Sequence, residues 1–368
     1  MDASKKGITV VVGGQFGGEG KGKVTAHLCR NYNYDAAVRC GGPNSGHTVT
    51  IGNEQIILRQ IPAGIVNPHT KLFLSAGCLI DLNVLSMEIE LFNLTPDRLV
   101  IDSNAVIIEK EDIEEETRGK LKERIGSTCT GVGAAVARRI LRRGNITLAR
   151  DSAELKSFVS DVSQQIMTLY ERGRKIVIEG TQGFGLSVYH SPYYPFATSR
   201  DTTASAFLSE AGVSPLTVSE IIMVLRTFPI RVGGNSGPLP KEIDWETIQR
   251  ESGYPTRVEE YTTVTNRLRR VARFDLDIAK KAAIINKPTS LALMGVDYLD
   301  YCNNSVGYYT ELGDATKDFI SRIEEELGIE VGLIGTGPKD HELLKKTEER
   351  EDGRLQARVR ENKKVRVS

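Results

Sequence analysis

Gly17, Gly18, Gly20 and Gly22 share seven residues with Lys21 and Lys23, within GGQFGGEGKGK (13–23), directly after the apolar run ITVVV (8–12). Small residues between a strand and a helix let backbone N–H groups face an anion, and the helix start adds a favourable dipole. Lys21 can reach phosphate oxygens. The spacing departs from the GxxxxGK[ST] phosphate loop: five residues separate Gly14 from Gly20, and Gly22 replaces the hydroxyl that would hold Mg²⁺. The loop also offers no aspartate, serine or threonine as metal ligand or base.

Four further clusters complete the chemistry. In RCGGPNSGHTVT (39–50), His47 follows a glycine just beyond a strand, placed to donate to a phosphate or act as an acid. In GSTCTGVGAAVARRILRRG (126–144), Ser127, Thr128 and the glycines could wrap a phosphate, with Arg142 or Arg143 pairing with it. In EGTQG (179–183), the Gln182 amide can hold a base edge or a developing oxyanion. In EYTTVTNRLRRVARFD (260–275), threonines followed by spaced arginines suit a dicarboxylate. Together these loops call for a nucleoside triphosphate, a second phosphorylated ligand and a small anionic substrate, as in a ligase driven by phosphoryl transfer.

The elements that must position these loops alternate along the chain. ITVVV (8–12), AAVR (36–39), KIVIEG (175–180), EIIMVLRTF (220–228), SLALMGVD (290–297) and EVGLIGTG (330–337) predict buried strands. Segments 109–126, 153–173 and 315–328 predict helices. The pattern predicts an α/β protein: a single large domain, mainly parallel central sheet, and a P-loop-like phosphate-binding loop after the first strand. Ligands bind outside the carboxyl ends of such strands. The expected catalytic domain covers 1–345 and a charged C-terminal tail covers 346–368.

With 48 basic and 48 acidic residues, the 368-residue chain lacks the excess positive charge of a general nucleic-acid binder. Aromatics are sparse, which disfavours a single-strand stacking platform. Five scattered cysteines with no CxxC pair indicate neither a zinc site nor a disulfide framework. No run of 18 apolar residues and no apolar leader is seen, so a cytoplasmic protein with no membrane partner is expected.

The motifs resemble those of the adenylosuccinate synthetase family. GGQFGGEGKGK resembles that family's GxQWGDEGKGK, and GGPNSGHT its GGxNAGHT; GSTCTGVG, EGTQG, ATSRDTT, TTVTNRLRR and IGTGP follow in family order across about residues 7–345. The resemblance implies that aspartate is joined to the 6-position of a purine monophosphate after a nucleoside triphosphate phosphorylates the 6-oxygen. It implies His47 as acid on the transferring phosphoryl group, Lys21 as its stabiliser, the Gly46 carbonyl as an Mg²⁺ ligand, and Gln182 holding the purine 6-oxygen. The monophosphate substrate falls to Gly18, Glu19, Gly20, Lys21, Asn44, Ser45, Thr128, Gln182, Thr198 and Arg267, with Arg142 reaching across a homodimer from the partner. Aspartate falls to Thr263, Val264, Thr265, Asn266, Arg267 and Arg269. The triphosphate falls to Gly17, Gly20, Lys21, Gly22, Lys23, Gly46, His47, Thr48, Arg269, Gly295, Asp297, Gly335 and Gly337.

Three departures refine this. The family's loop aspartate, which removes the purine N1 proton and ligates Mg²⁺, is Gly18 here. A glycine would open space for a 2-amino group, as guanine carries, and the phage-encoded 2-aminoadenylosuccinate synthetases, which act on dGMP in a diaminopurine pathway, have Ser or Gly at this position. The chain is therefore expected to resemble that branch, in host cytoplasm if phage-encoded. The alternatives are an ordinary enzyme acting on inosine monophosphate (IMP) with GTP, its base replaced by water or Glu19, and a silent nucleotide-binding protein. The family's guanine-reading T-K-L-D and S-T-G-P are Met294-Gly295-Val296-Asp297 and Gly335-Thr336-Gly337-Pro338, which points to ATP or dATP as donor with GTP possible. Leu268 stands for a family arginine in the dicarboxylate loop.

Overall fold

The computed structural model describes residues 7–347 except 53, 143, 145 and 340. Arg143 and the tail from 348 onward lie outside the described residues.

A ten-stranded sheet forms the centre. Its strands are β1 (Gly7–Gly13), β2 (Ala36–Arg39), β3 (Lys71–Leu74), β4 (Leu99–Asp102), β5 (Val159–Ser160), β6 (Lys175–Glu179), β7 (Val218–Arg226), β8 (Ser290–Met294), β9 (Val331–Gly335) and β10 (Leu343–Lys345). They run in the order β10-β9-β8-β7-β1-β6-β2-β3-β4-β5. All neighbours pair parallel except β10, which is antiparallel to β9.

Side-chain alternation explains why these strands read as continuous apolar runs. Ile8, Val10 and Val12 enter one buried cluster while Val11 enters the cluster on the opposite face. Ile176 and Ile178 likewise oppose Val177, and Leu291 and Leu293 oppose Ala292. Both faces are packed, as a parallel sheet requires.

The six expected strands are present. The short strands β3, β4, β5 and β10 were not expected. Segment 109–126 is not one helix: Lys110–Arg118 and Leu121–Ile125 are separated at Lys120, whose φ is 50°. Segment 153–173 is helical only over Val162–Glu171, where Asp161 caps the start and β5 claims the residues before it. The expected 315–328 helix spans Asp314–Leu327. Among the described residues, no helix is long and apolar enough to cross a membrane.

The chain walks outward from β1 through β2 to β5, returns through β6 beside β1, then proceeds outward on the other side through β7, β8 and β9. This reversal gathers the carboxyl ends of six adjacent strands, Gly335, Met294, Arg226, Gly13, Glu179 and Arg39, along one edge, where open α/β sheets bind ligands. A hairpin, His47–Ile51 with Glu54–Leu58, and a three-stranded sheet of Ile230–Arg231, Arg270–Ala272 and Glu242–Ile243 supply further elements.

Candidate active site

The glycine loop links β1 to helix α1 (Lys21–Tyr32). Gly17, Gly18 and Gly20 have φ of 88°, 68° and 104°, left-handed values that favour glycine. Glu19 organises the loop from inside. It has no exposed surface; its Oε1 accepts from the backbone N–H of Gln15 (3.1 Å) and Gly17 (2.8 Å), and its Oε2 receives Lys21 Nζ at 2.6 Å. Both carboxylate oxygens are committed to the loop, so Glu19 is not the free base that one alternative assigned to it. Lys23 Nζ donates to the carbonyls of Gly337 (2.7 Å) and Glu342 (2.8 Å), tying the segment after β9 to α1.

On the other side of the loop, His47 Nδ1 lies 2.9 Å from Glu179 Oε1 and His47 Nε2 lies 3.1 Å from the Ile61 carbonyl. Glu179 also receives Arg39 Nη1 at 2.8 Å and the Ala63 N–H at 2.8 Å. Burial alone would raise the Glu179 pKa, but the charges of His47 and Arg39 and the hydrogen bonds to it outweigh burial and hold it at about 2. Gln182 follows β6 with φ of 59°, a conformation that a non-glycine residue adopts only where its surroundings impose it. Ser45 Oγ and Thr181 Oγ1 are 2.7 Å apart.

These loops frame one cavity of ≈660 Å³. Of the expected residues, 17–23, 44–48, Thr128, Gln182, 263–265, Arg269, Gly295, Asp297 and Gly337 line it. Thr198, Asn266, Arg267, Gly335 and Arg142 do not. The Thr198 N–H donates to Leu186 O at 2.8 Å, and the Arg267 N–H donates to Thr262 Oγ1 at 2.9 Å. Arg142 is exposed immediately after the helix Val132–Leu141. Gly335 is covered by Met294: a Cβ there would lie 2.5 Å from Met294 Sδ, so a serine requires that side chain to shift.

The space beside Gly18 is not open, contrary to expectation. A Cβ would lie 2.7 Å from Arg269 Nη1 and 2.8 Å from Ile230 Cδ1. Arg269 Nη1 stands where a side chain at position 18 would begin. Arg226, at the end of β7, donates to the Gly18 carbonyl at 3.3 Å and pairs with Glu260, which also accepts from the Tyr298 hydroxyl at 2.9 Å. Burial lowers the Arg269 pKa, opposed by the charge of Glu260.

Arg39, Glu179, Arg226, Tyr254, Glu260 and Tyr298 also line the cavity and were missed. Charged residues closing buried strands marked the first three. Tyr254 and Tyr298 carried no local signal.

Among the described residues, no group of three His, Cys, Asp or Glu side chains forms a metal site. Gly46 offers a carbonyl at the cavity but Gly18 brings no carboxylate. The donor set therefore fits Mg²⁺ arriving with triphosphate oxygens as part of the substrate, which is how Mg²⁺ commonly binds at phosphate sites.

The adenylosuccinate synthetase family model matches residues 10–150 and 146–308. The adenylosuccinate synthetase of Methanocaldococcus jannaschii is 41% identical over 341 residues, covering 91% of this chain and 96% of the relative. This chain belongs to the adenylosuccinate synthetase family. The Pyrococcus horikoshii adenylosuccinate synthetase is 40% identical over 340 residues, 91% of this chain and 97% of that one. Among solved structures, the fully ligated adenylosuccinate synthetase of Plasmodium falciparum superposes with a TM-score of 0.81 at 22% identity, covering 93% of this chain and 100% of that one, a likeness of fold. The cyanophage S-2L succinoaminodeoxyadenylate synthetase, bound to dGMP and to dATP as energy donor, gives a TM-score of 0.77 at 28% identity over 96% of this chain and 99% of that one. As an adenylosuccinate synthetase family member, the chain is a C–N bond-forming ligase of purine biosynthesis. The family takes a nucleotide, aspartate and a nucleoside triphosphate with Mg²⁺, ordinarily GTP, and is usually dimeric.

Proposed function

We propose that this family member joins L-aspartate to C6 of dGMP, driven by ATP or dATP, giving N6-succino-2-amino-dAMP, the nucleoside diphosphate and phosphate. The catalytic unit is residues 1–345. The observation that carries the reading is Gly18: the loop tip is exposed at the cavity, holds no carboxylate, and Glu19 beside it is fully engaged. A positioned base contributes about 10²–10⁴-fold to proton transfer, but guanine carries the same N1 proton as hypoxanthine, so the missing carboxylate bears on substrate choice through the contact that a side chain at position 18 would make with guanine's 2-amino group. The cyanophage enzyme, whose bound nucleotides are dGMP and dATP, is a distant neighbour of this chain at 28% identity.

In this reading the γ-phosphoryl group passes to the purine 6-oxygen. The aspartate amine then forms the C6–N bond as the C6–O bond breaks and phosphate leaves. Lys21 and the loop N–H groups neutralise the transferring phosphoryl, His47 donates to it once Nε2 exchanges the Ile61 carbonyl for a phosphoryl oxygen, and Gln182 orients the 6-oxygen. Asn44, Ser45 and Thr128 hold the monophosphate, with Thr198 just outside the cavity of this chain and Arg142 supplied by a partner subunit. Thr263, Val264, Thr265 and Arg269 receive aspartate, with Asn266 and Arg267 at the back of the same turn. Glu179 and Arg39 position His47.

The comparisons back a second reading better: archaeal relatives named adenylosuccinate synthetase are 38–41% identical, against 28% for the cyanophage enzyme. That reading makes the substrates IMP and GTP. Turnover of dGMP and IMP measured side by side with aspartate, Mg²⁺ and each triphosphate decides between them. Faster use of dGMP supports the proposal, and equal or faster use of IMP overturns it.

A further inference from the structure

We infer that Tyr254 determines which base the phosphoryl donor carries, by occupying one of the two oxygens of Asp297. The inference rests on the ATP or dATP reading above. Asp297 lies beyond β8, is 3% exposed and lines the cavity together with Tyr254. The Tyr254 hydroxyl donates to Asp297 Oδ2 at 2.5 Å and accepts from Asn304 Nδ2 at 3.2 Å. Its ring is wedged between Tyr301 and Tyr298, with centroids 4.6 and 5.8 Å away. Hydrogen bonds and ring packing thus fix the hydroxyl on the carboxylate.

A carboxylate clamps guanine by accepting from N1–H and the 2-amino group with its two oxygens side by side. Adenine offers one amino group on its 6-position, and a single oxygen satisfies it. Oδ2 keeps a second lone pair, but a base must share that oxygen with a hydroxyl held in place, whereas Oδ1 carries no such partner among the described residues. Guanine, which needs both oxygens, is then matched less well than adenine, which needs one, and polar sites turn such a mismatch into discrimination. The surrounding backbone does not compensate with side chains. Gly295 sits at φ 78°, where a side chain is strained, and the Cβ position of Gly335 is filled by Met294 Sδ. The 6-oxygen of guanine therefore meets no side-chain donor at these two positions.

The test is Tyr254→Phe in the full-length protein, which keeps the ring between its neighbours and releases Oδ2. The donor kcat/KM is measured with ATP, dATP and GTP at saturating aspartate, using whichever monophosphate supports turnover, so that the dGMP reading does not enter. The wild type is expected to prefer ATP or dATP, and the variant to raise the GTP/ATP ratio about tenfold or more, with the monophosphate KM unchanged. A wild type preferring ATP with an unchanged ratio in the variant overturns the role of Tyr254 and leaves the donor reading standing. A wild type preferring GTP overturns both. Tyr254→Met, which also lacks the hydroxyl, repeats the measurement if the phenylalanine variant does not fold.

Discussion

His47 Nδ1 stands 2.9 Å from Glu179 Oε1, on a carboxylate that also holds Arg39 at 2.8 Å. Glu179 is fully buried, and its partners bring its pKa from the ordinary 4.5 to about 2 in spite of burial. A folded value below the unfolded one means stability that is present above about pH 4.5 and lost as pH falls toward 2. Glu179→Gln should therefore flatten the acid limb of the Tm–pH curve between those values. It should also cost about 3–5 kcal/mol at neutral pH, as breaking one side of a buried ion pair does, and lower kcat by releasing His47. Thermal melts from pH 2 to 7 check this; an acid limb parallel to that of the wild type would show that Glu179 is not its source.

The approach of Arg269 to Gly18 makes the second prediction. Gly18→Asp forces a side chain onto φ 68° and sets a carboxylate against Arg269 Nη1. That charge should draw the guanidinium away from aspartate and crowd the purine. The dGMP rate should fall and the aspartate KM rise, while IMP use relative to dGMP rises because the new side chain meets the 2-amino group that only guanine carries. Paired kinetics with both monophosphates measure it, and an unchanged IMP/dGMP ratio would remove Gly18 from substrate choice.

Much of this site was legible because a parallel sheet demands β-branched and aliphatic runs, and several of these runs close in charged residues. Arg39, Glu179 and Arg226 all occupy that closing position. The short strands were not legible: Val159–Ser160 has too few residues for any periodicity, and KLFL of β3 reads equally as a helix fragment or buried turn. Nor does sequence say which way a glutamate turns inside a glycine loop; Glu19 looks like a free base until Gln15, Gly17 and Lys21 are seen to claim it. Tyr254 and Asp297 stand 43 residues apart, so no local pattern joins them.

Arg269 carries the third prediction. It lines the cavity beside Thr263, Val264 and Thr265, and its Nε donates to Tyr261 O at 3.2 Å, which fixes the fork. Arg269→Leu removes a charge-assisted contact worth about 1.5–3 kcal/mol, so the aspartate KM should rise roughly ten- to hundredfold. The monophosphate KM should change far less. Initial rates over an aspartate series give the answer, and an unchanged aspartate KM would move the dicarboxylate site elsewhere.

The last prediction concerns Arg142. Thr128 lines the cavity, but Arg142 is exposed beyond the end of the helix that follows it, with φ of 52°, and does not reach the cavity of its own chain. Under a two-fold interface each subunit can complete its partner's site. Arg142→Leu and Lys21→Ala should each abolish most activity alone. When the two are mixed and allowed to exchange, a heterodimer has one site with neither group and one with both: Lys21 from the first variant and Arg142 from the second. Random exchange makes half the dimers mixed, so about one quarter of the wild-type rate should return. Differently tagged subunits purified through both tags verify that heterodimers form. Verified heterodimers without recovered activity would place Arg142 outside the reaction and leave each site built from a single chain.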